Sequence, residues 1–480
     1  MKFRLSPVLI AVFTLALASL ACQALAADMP ADSAPPVATS ADTSEESSTD
    51  SPRAPLDADA PAMPEPVQSQ GAGMACFGLR AGGLTCLDEN GWQTFTTANS
   101  GLPTDFLSAG GLCPDGRIVI AHYEGLSLFD GVNWENIPKT SNYSSADAVA
   151  CAADGSLWVA HFQGVSRYAN GEWMTYASEL FATGESANEL VYDVAVSSDG
   201  RVWVVTSRSV AVFENDEWDI FQEGQGFTES VFFNELTLDS LDRPWAGLSS
   251  GAAVYDGNWK MVNKPGYSNP SSMVFDAAGN LWIGTITGGV SMYNGNAWVD
   301  FNRKLESLPS DNIRDLAADS QGRVWVATTY GLVIIDGDNR QTYRMENSAV
   351  GDNEIEFVVV VKDGPTLPAT TVQQPGSMTG KLEKADGAPL SGMRVEICVE
   401  SLGSQFSGET PCSDQPFFLS TETDASGVFA FENIPVGYYV LVAETGDGWA
   451  QLTTEFGIGS ERTPILAGES YDIGTLTLEE

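Results

Sequence analysis

Eleven of the twelve tryptophans fall into just two slots of a recurring motif. Trp92, Trp134, Trp173, Trp218, Trp259 and Trp298 fill one slot, and Trp158, Trp203, Trp245, Trp282 and Trp325 the other. Members of a slot recur about every 40 residues, the period of propellers and solenoids. Six strand-like segments with this spacing occupy residues 117–122, 156–161, 201–206, 243–248, 280–285 and 323–328. Each follows a turn, such as Asp115-Gly116, Asp154-Gly155 or Asp199-Gly200, and most lead into a glycine-led strand such as residues 125–130. A four-stranded sheet of this size cannot shield both of its faces, so copies must stack face to face, with broad indoles filling the wedge between them. The ends of the array set the count. Its first unit, residues 74–96, holds only three strands, while an orphan strand, residues 354–361, follows the last full unit. Six full units and one shared unit predict an all-β, seven-bladed β-propeller over residues 73–362. Its C-terminal strand closes the ring and removes both exposed edges.

The flanks constrain location. Lys2 and Arg4 followed by apolar residues 5–21 read as a signal peptide ending near residue 26. Ser19-Leu20-Ala21-Cys22 resembles a bacterial lipobox, with lipidation at Cys22, whereas Ala24-Leu25-Ala26 resembles an ordinary signal-peptidase site. Either reading exports the chain, as a cell-surface or periplasmic lipoprotein or as a secreted protein, and allows membrane contact only through a lipid anchor. Residues 27–72 are rich in Pro, Ser, Ala and acids without one aromatic side chain, which predicts a disordered linker. Its reach is on the order of 35–40 Å. With 64 Asp plus Glu against 23 Lys plus Arg, the net charge of -41 repels phosphate backbones, so nucleic acid is excluded as a partner.

Gly101-Leu102-Pro103, residues 279–285 (GNLWIGT) and residues 129–134 (FDGVNW) resemble the repeat of the two-component regulator propeller family. That resemblance implies an extracytoplasmic ligand sensor. A connector, residues 363–376, leads to residues 377–480, where Gly380-Lys381-Leu382, Asp386-Gly387, residues 389–395, Thr423-Asp424, residues 427–431 and residues 434–439 resemble the carboxypeptidase regulatory-like family. This second resemblance implies a small transthyretin-like β-sandwich, a structural or adhesive module without peptidase activity.

Turns between the second and third strands of propeller blades line one mouth of the central channel. The candidates there are His122, Tyr123, Glu124, His161, Phe162, Gln163, Arg208 and Tyr330, the rings as stacking surfaces and the histidines and Arg208 as polar clamps. His122 and His161 are the only histidines and share one slot of consecutive units, where other units carry Thr. Three readings stay open for them: turn residues, a metal pair with Glu124 as third ligand, or acid–base groups with Glu124, as in the streptogramin lyases. No nucleophile motif or phosphate-cradling loop occurs, so no catalytic residue is assigned and the enzyme case is thin. No cofactor is implied, save that Asp336-Gly337-Asp338 offers carboxylates to calcium.

Six cysteines besides Cys22 permit three bridges, expected as Cys76–Cys86 within a hairpin, Cys113–Cys151 between stacked units, and Cys398–Cys412 across a polar loop. The expected function is that of an envelope-anchored binding or scaffold protein for an unknown extracellular ligand, a glycan or a protein, with the sandwich as spacer or adhesion module. The alternative is a propeller lyase or hydrolase using His122, His161 and Glu124.

Overall fold

The computed structural model describes residues 73–139, 146–182, 189–221, 232–264, 269–361, 363–399, 410–413, 415–446, 448–452 and 462–478. The expected signal peptide, its candidate lipidation site Cys22 and the expected acidic linker lie outside the described residues.

Each repeat becomes a four-stranded antiparallel sheet, and the described residues hold seven such sheets. The innermost strands of the second to seventh sheets are Leu107–Leu112, Ala148–Cys151, Val191–Val196, Phe233–Leu238, Pro270–Phe275 and Ile313–Ala318. The first sheet is composite: Met74–Leu79, Leu84–Asp88 and Gly91–Phe95 come from the start of the array, and Ile355–Val361 from its end. Each innermost strand packs against the next, and Ile355–Val361 packs against both Ile313–Ala318 and Leu107–Leu112, which completes a circle.

The sequence pattern explains these sheets. The second strands, such as Leu157–His161, Val202–Thr206 and Val324–Thr328, are buried at every position, because neighbouring sheets cover both faces. They accordingly read as unbroken apolar runs rather than alternating ones. Indoles and phenyl rings bridge the sheets, as in Phe77–Trp325 at 6.0 Å between ring centroids, Trp158–Phe213 at 5.3 Å and Trp203–Tyr255 at 5.6 Å. The turn before each second strand is tied by its Asp. Asp319 accepts from the Gln321 and Arg323 amides, from Arg323 Nε and from Trp325 Nε1, and Gly322 turns the chain at φ 85°. Disulfides join Cys76 to Cys86, which face each other across two strands of the first sheet, and Cys113 to Cys151, which links the second sheet to the third.

Residues 376–478 form two further sheets. Val428–Ile434, Gly376–Lys384 and Ser470–Leu478 make one. Phe418–Glu422, Arg394–Cys398, Gly437–Thr445 and Gly448–Leu452 make the other, with Thr463–Ile465 beside Gly437–Thr445. Both contribute to one core, in which Met378, Leu382, Phe429 and Phe431 meet Val395, Ile397, Tyr439 and Leu441. The Cys398–Cys412 bridge ties the second of these sheets to the chain that follows it.

This double sheet is docked on the ring within the compact unit Ser69–Glu480. Tyr330, from the seventh sheet, belongs to the same apolar core. Arg462 grips Asp352 through two contacts, of 2.8 and 3.2 Å, and reaches Glu354 at 3.4 Å. All three are buried. Arg303 Nη2 donates to the Gln415 carbonyl at 3.1 Å.

Candidate functional site

One irregularity recurs where the innermost strands of all sheets but the third begin. Ser108, Tyr192, Asn234, Ser271, Arg314 and Glu356 are each an extra residue, skipped in the pairing with the adjacent strand. Such a bulge bends the strand and re-aims the side chain. All six line a cavity of about 540 Å³ on the axis of the ring, together with Asp147, Asp193, Glu235, Asp315 and Ile286.

Five carboxyl groups therefore share this cavity with a single cationic lining residue, Arg314. Asp193 accepts from the Leu236 amide of the next sheet at 2.8 Å, and Asp315 accepts from the Val358 amide at 2.9 Å and from Ser272 Oγ at 2.8 Å. These side chains staple neighbouring innermost strands while facing the channel. Loss of water among the walls pushes Asp147 up to about 6, Asp193 to about 7 and Asp315 to about 6. Desolvation and then the charges of Asp193 and Asp315 raise Glu235 well above the ordinary range.

Arg314 connects the channel with the docked double sheet. Its Nη2 lies 3.3 Å from Glu354 Oε1 and its Nε 3.8 Å from Glu356 Oε2, and the same Glu354 oxygen accepts from Arg80 at 2.6 Å.

Because successive strands alternate in direction, the turns between second and third strands lie on the side where the innermost strands begin. His122 and His161 are there but face inward. Both are buried, each Nδ1 accepting from the amide two residues on, Glu124 or Gln163, at 3.2 Å. Each Nε2 meets a serine of the third strand, Ser127 or Ser166, at 2.9 Å. An accepting Nδ1 leaves the proton on Nε2, so the neutral ring donates to the serine. Burial lowers both imidazoles to about 4. Thr206, Thr285 and Thr328 brace the equivalent turns by accepting from the amides of Arg208, Gly288 and Tyr330. The geometry thus corrects the expectation of histidine clamps at the mouth, because the rings are consumed by turn bracing. His122 and Glu124 line a side pocket of about 290 Å³ with Pro103 and Asn136, and His161 is not among its lining residues.

Tyr330 is corrected more sharply. The residue is 4% exposed, covered by the double sheet, and carries the Arg344 guanidinium 4.8 Å from its ring centroid. Tyr123 and Phe162 do reach the surface, at 63% and 59% exposure, with Lys139 Nζ 3.7 Å above the Tyr123 ring. Glu124, Gln163 and Arg208 are exposed on the same turns. Phe106, Leu180, Phe232 and Ile286 are also exposed on this side and extend an apolar rim around the mouth. Asp336 and Asp338 flank an exposed turn, and among the described residues no three His, Cys, Asp or Glu side chains converge as a metal set.

The channel residues escaped the sequence reading because the bulge slot holds five residue types across six sheets. The usable signal was the acid one place later in three strands, Asp193, Glu235 and Asp315.

Sheets, closure and axial cavity define an all-β protein of the propeller class. Within it, the repeat pattern described as "two component regulator propeller" matches residues 307–330, from the entry to the seventh sheet through Tyr330. No curated protein matches the chain. Among solved structures the chain is similar to a catalytically inactive virginiamycin B lyase from Staphylococcus aureus with quinupristin, at 12% identity over 54% of this chain and 92% of that one, TM-score 0.44. It is also similar to PorZ, a surface component of the type-IX secretion system of Porphyromonas gingivalis, at 13% identity over 81% and 63%, TM-score 0.45. A third similarity is to the extracellular domain of a hybrid two-component system from B. thetaiotaomicron, at 14% identity over 83% and 76%, TM-score 0.36.

Proposed function

We propose that the chain is an exported binding protein, a seven-bladed propeller that presents the channel face to an extracytoplasmic ligand, with a transthyretin-like double sheet docked on that face as spacer or adhesion module. The observation that carries this reading is an axial cavity of about 540 Å³ lined by five carboxyls and ringed by exposed apolar side chains. A concave site with a few convergent polar groups is where ligands bind by default. The three disulfides suit an oxidising compartment. In this reading Cys22 carries the lipid and residues 27–72 lift the ring from the envelope. Mass spectrometry of the mature N-terminus tests the anchor, and an unmodified chain beginning at Ala27 would remove it.

The lyase alternative ranks second. His122 and Glu124 share a pocket, yet the His122 ring is tied to Ser127 and the Glu124 amide, and His161 is held by Ser166. The binding reading is tested by a glycan and peptide screen against wild type and the double variant Tyr123→Ala, Phe162→Ala. Ligand capture that the variant abolishes is expected. Capture that survives the variant would place binding elsewhere.

A further inference from the structure

The channel face already docks protein in one sector. The seventh sheet contributes Tyr330, with Arg344 over its ring, to the core of the double sheet. In the second sheet the same turn carries Tyr123, one place before the slot of Tyr330, which Glu124 fills there, and Lys139, directly after the fourth strand, lies over the Tyr123 ring. Phe162 fills the turn slot in the third sheet. Here no part of the described chain covers the rings, which are 63% and 59% exposed. A turn whose ring is buried by a β-domain in one sheet thus presents exposed rings in two others, on the side where the innermost strands begin.

We propose that the open sector, with Tyr123, Phe162 and Phe106 as anchors, docks a basic polypeptide segment, an inference that rests on the binding reading above. Apolar side chains of the segment lie on the rim, and its Lys or Arg side chains reach Asp147 and Asp193 in the channel. Charge complementarity selects this occupant. Arg314 is the one cationic lining residue and is already engaged by Glu354 and Glu356. A second copy of this chain brings another net charge of -41 to the same face and is repelled. The aliphatic rim members Leu180 and Ile286 offer no flat face for a sugar ring, but they pack well against apolar side chains.

Selection of random phage-displayed peptides against the full chain tests the proposal, with a glycan array run in parallel. Peptides enriched in Lys or Arg beside an apolar residue are expected. Their affinity should fall about tenfold or more in Tyr123→Ala, Phe162→Ala, the loss typical of a buried anchor. A smaller loss, with weaker salt dependence, is expected in Asp147→Asn. These substitutions are at exposed positions, and an unchanged melting curve shows that the fold persists. Selected peptides without a basic excess, or indifferent to the rim variant, would overturn the proposal. Glycans captured through the rim, with no peptide selected, would overturn it while leaving the channel-face reading intact. If neither peptide nor glycan capture depends on this face, both readings fall.

Discussion

Tyr330 and Tyr123 occupy the same turn of two sheets, and each has a cation above its ring, yet the first is 4% exposed and the second 63%. They stand at neighbouring positions of that turn, Tyr330 aligning with Glu124. Cover comes from a distant stretch of chain, and Arg462 fixes it there by pairing with Asp352 and Glu354. Burial pushes the Asp352 carboxyl up against the pull of that guanidinium, as expected where two charges leave water together. The contrast shows that a repeat can present aromatic rings from the same turn of several sheets while a distant part of the chain covers only one of them.

Removing the ion pair is the strongest way to break the comparison. Arg462→Met leaves two buried carboxyls without their shared guanidinium and should cost about 3–5 kcal/mol, read as a lower urea midpoint. An unchanged midpoint would mean that apolar packing alone holds the cover. Next comes Tyr330→Ala, expected to cost about 3 kcal/mol because a buried ring is lost. A third test uses pH. The open second and third sheets brace their turns with His122 and His161, the covered seventh with Thr328. With His161 lowered from 6.5 to about 4, the unfolded chain binds a proton that the folded chain refuses between those values, so this contribution to stability is lost as pH falls through the window. Relative to wild type, His161→Thr should therefore gain about 2 kcal/mol at pH 5 and nothing above pH 7. Equal behaviour of the two proteins at pH 5 would refute the inward, neutral ring. The smallest effect belongs to Tyr123→Ala, expected within about 0.5 kcal/mol of wild type in the same urea titration.

Much of the ring is legible in the sequence because its determinants are local and repeated. In three turns an Asp binds the indole six residues later, so Asp239 and Trp245, Asp276 and Trp282, and Asp319 and Trp325 each announce a strand. The cysteine spacings likewise follow from strand alternation. The channel is less legible. Whether Arg314 or Tyr192 faces the axis depends on a one-residue slip in pairing, which leaves no composition of its own. Histidine in a threonine slot looks like chemistry until the backbone amide at Nδ1 is seen to claim it. Tyr330 was misplaced for a third reason: turn spacing locates a ring on a face but carries no information about a domain that folds back over it.

Asp352 and Glu354, the residues gripped by Arg462, immediately precede Ile355–Val361, the strand that joins the two ends of the array. That strand is translated some hundreds of residues after its partner Met74–Leu79, and such long-range pairing forms slowly. The clasp on it belongs to a segment made later still. Assembly is thereby biased toward order: the circle stays able to open while the chain is emerging, and it is secured only when the final hundred or so residues have arrived and folded.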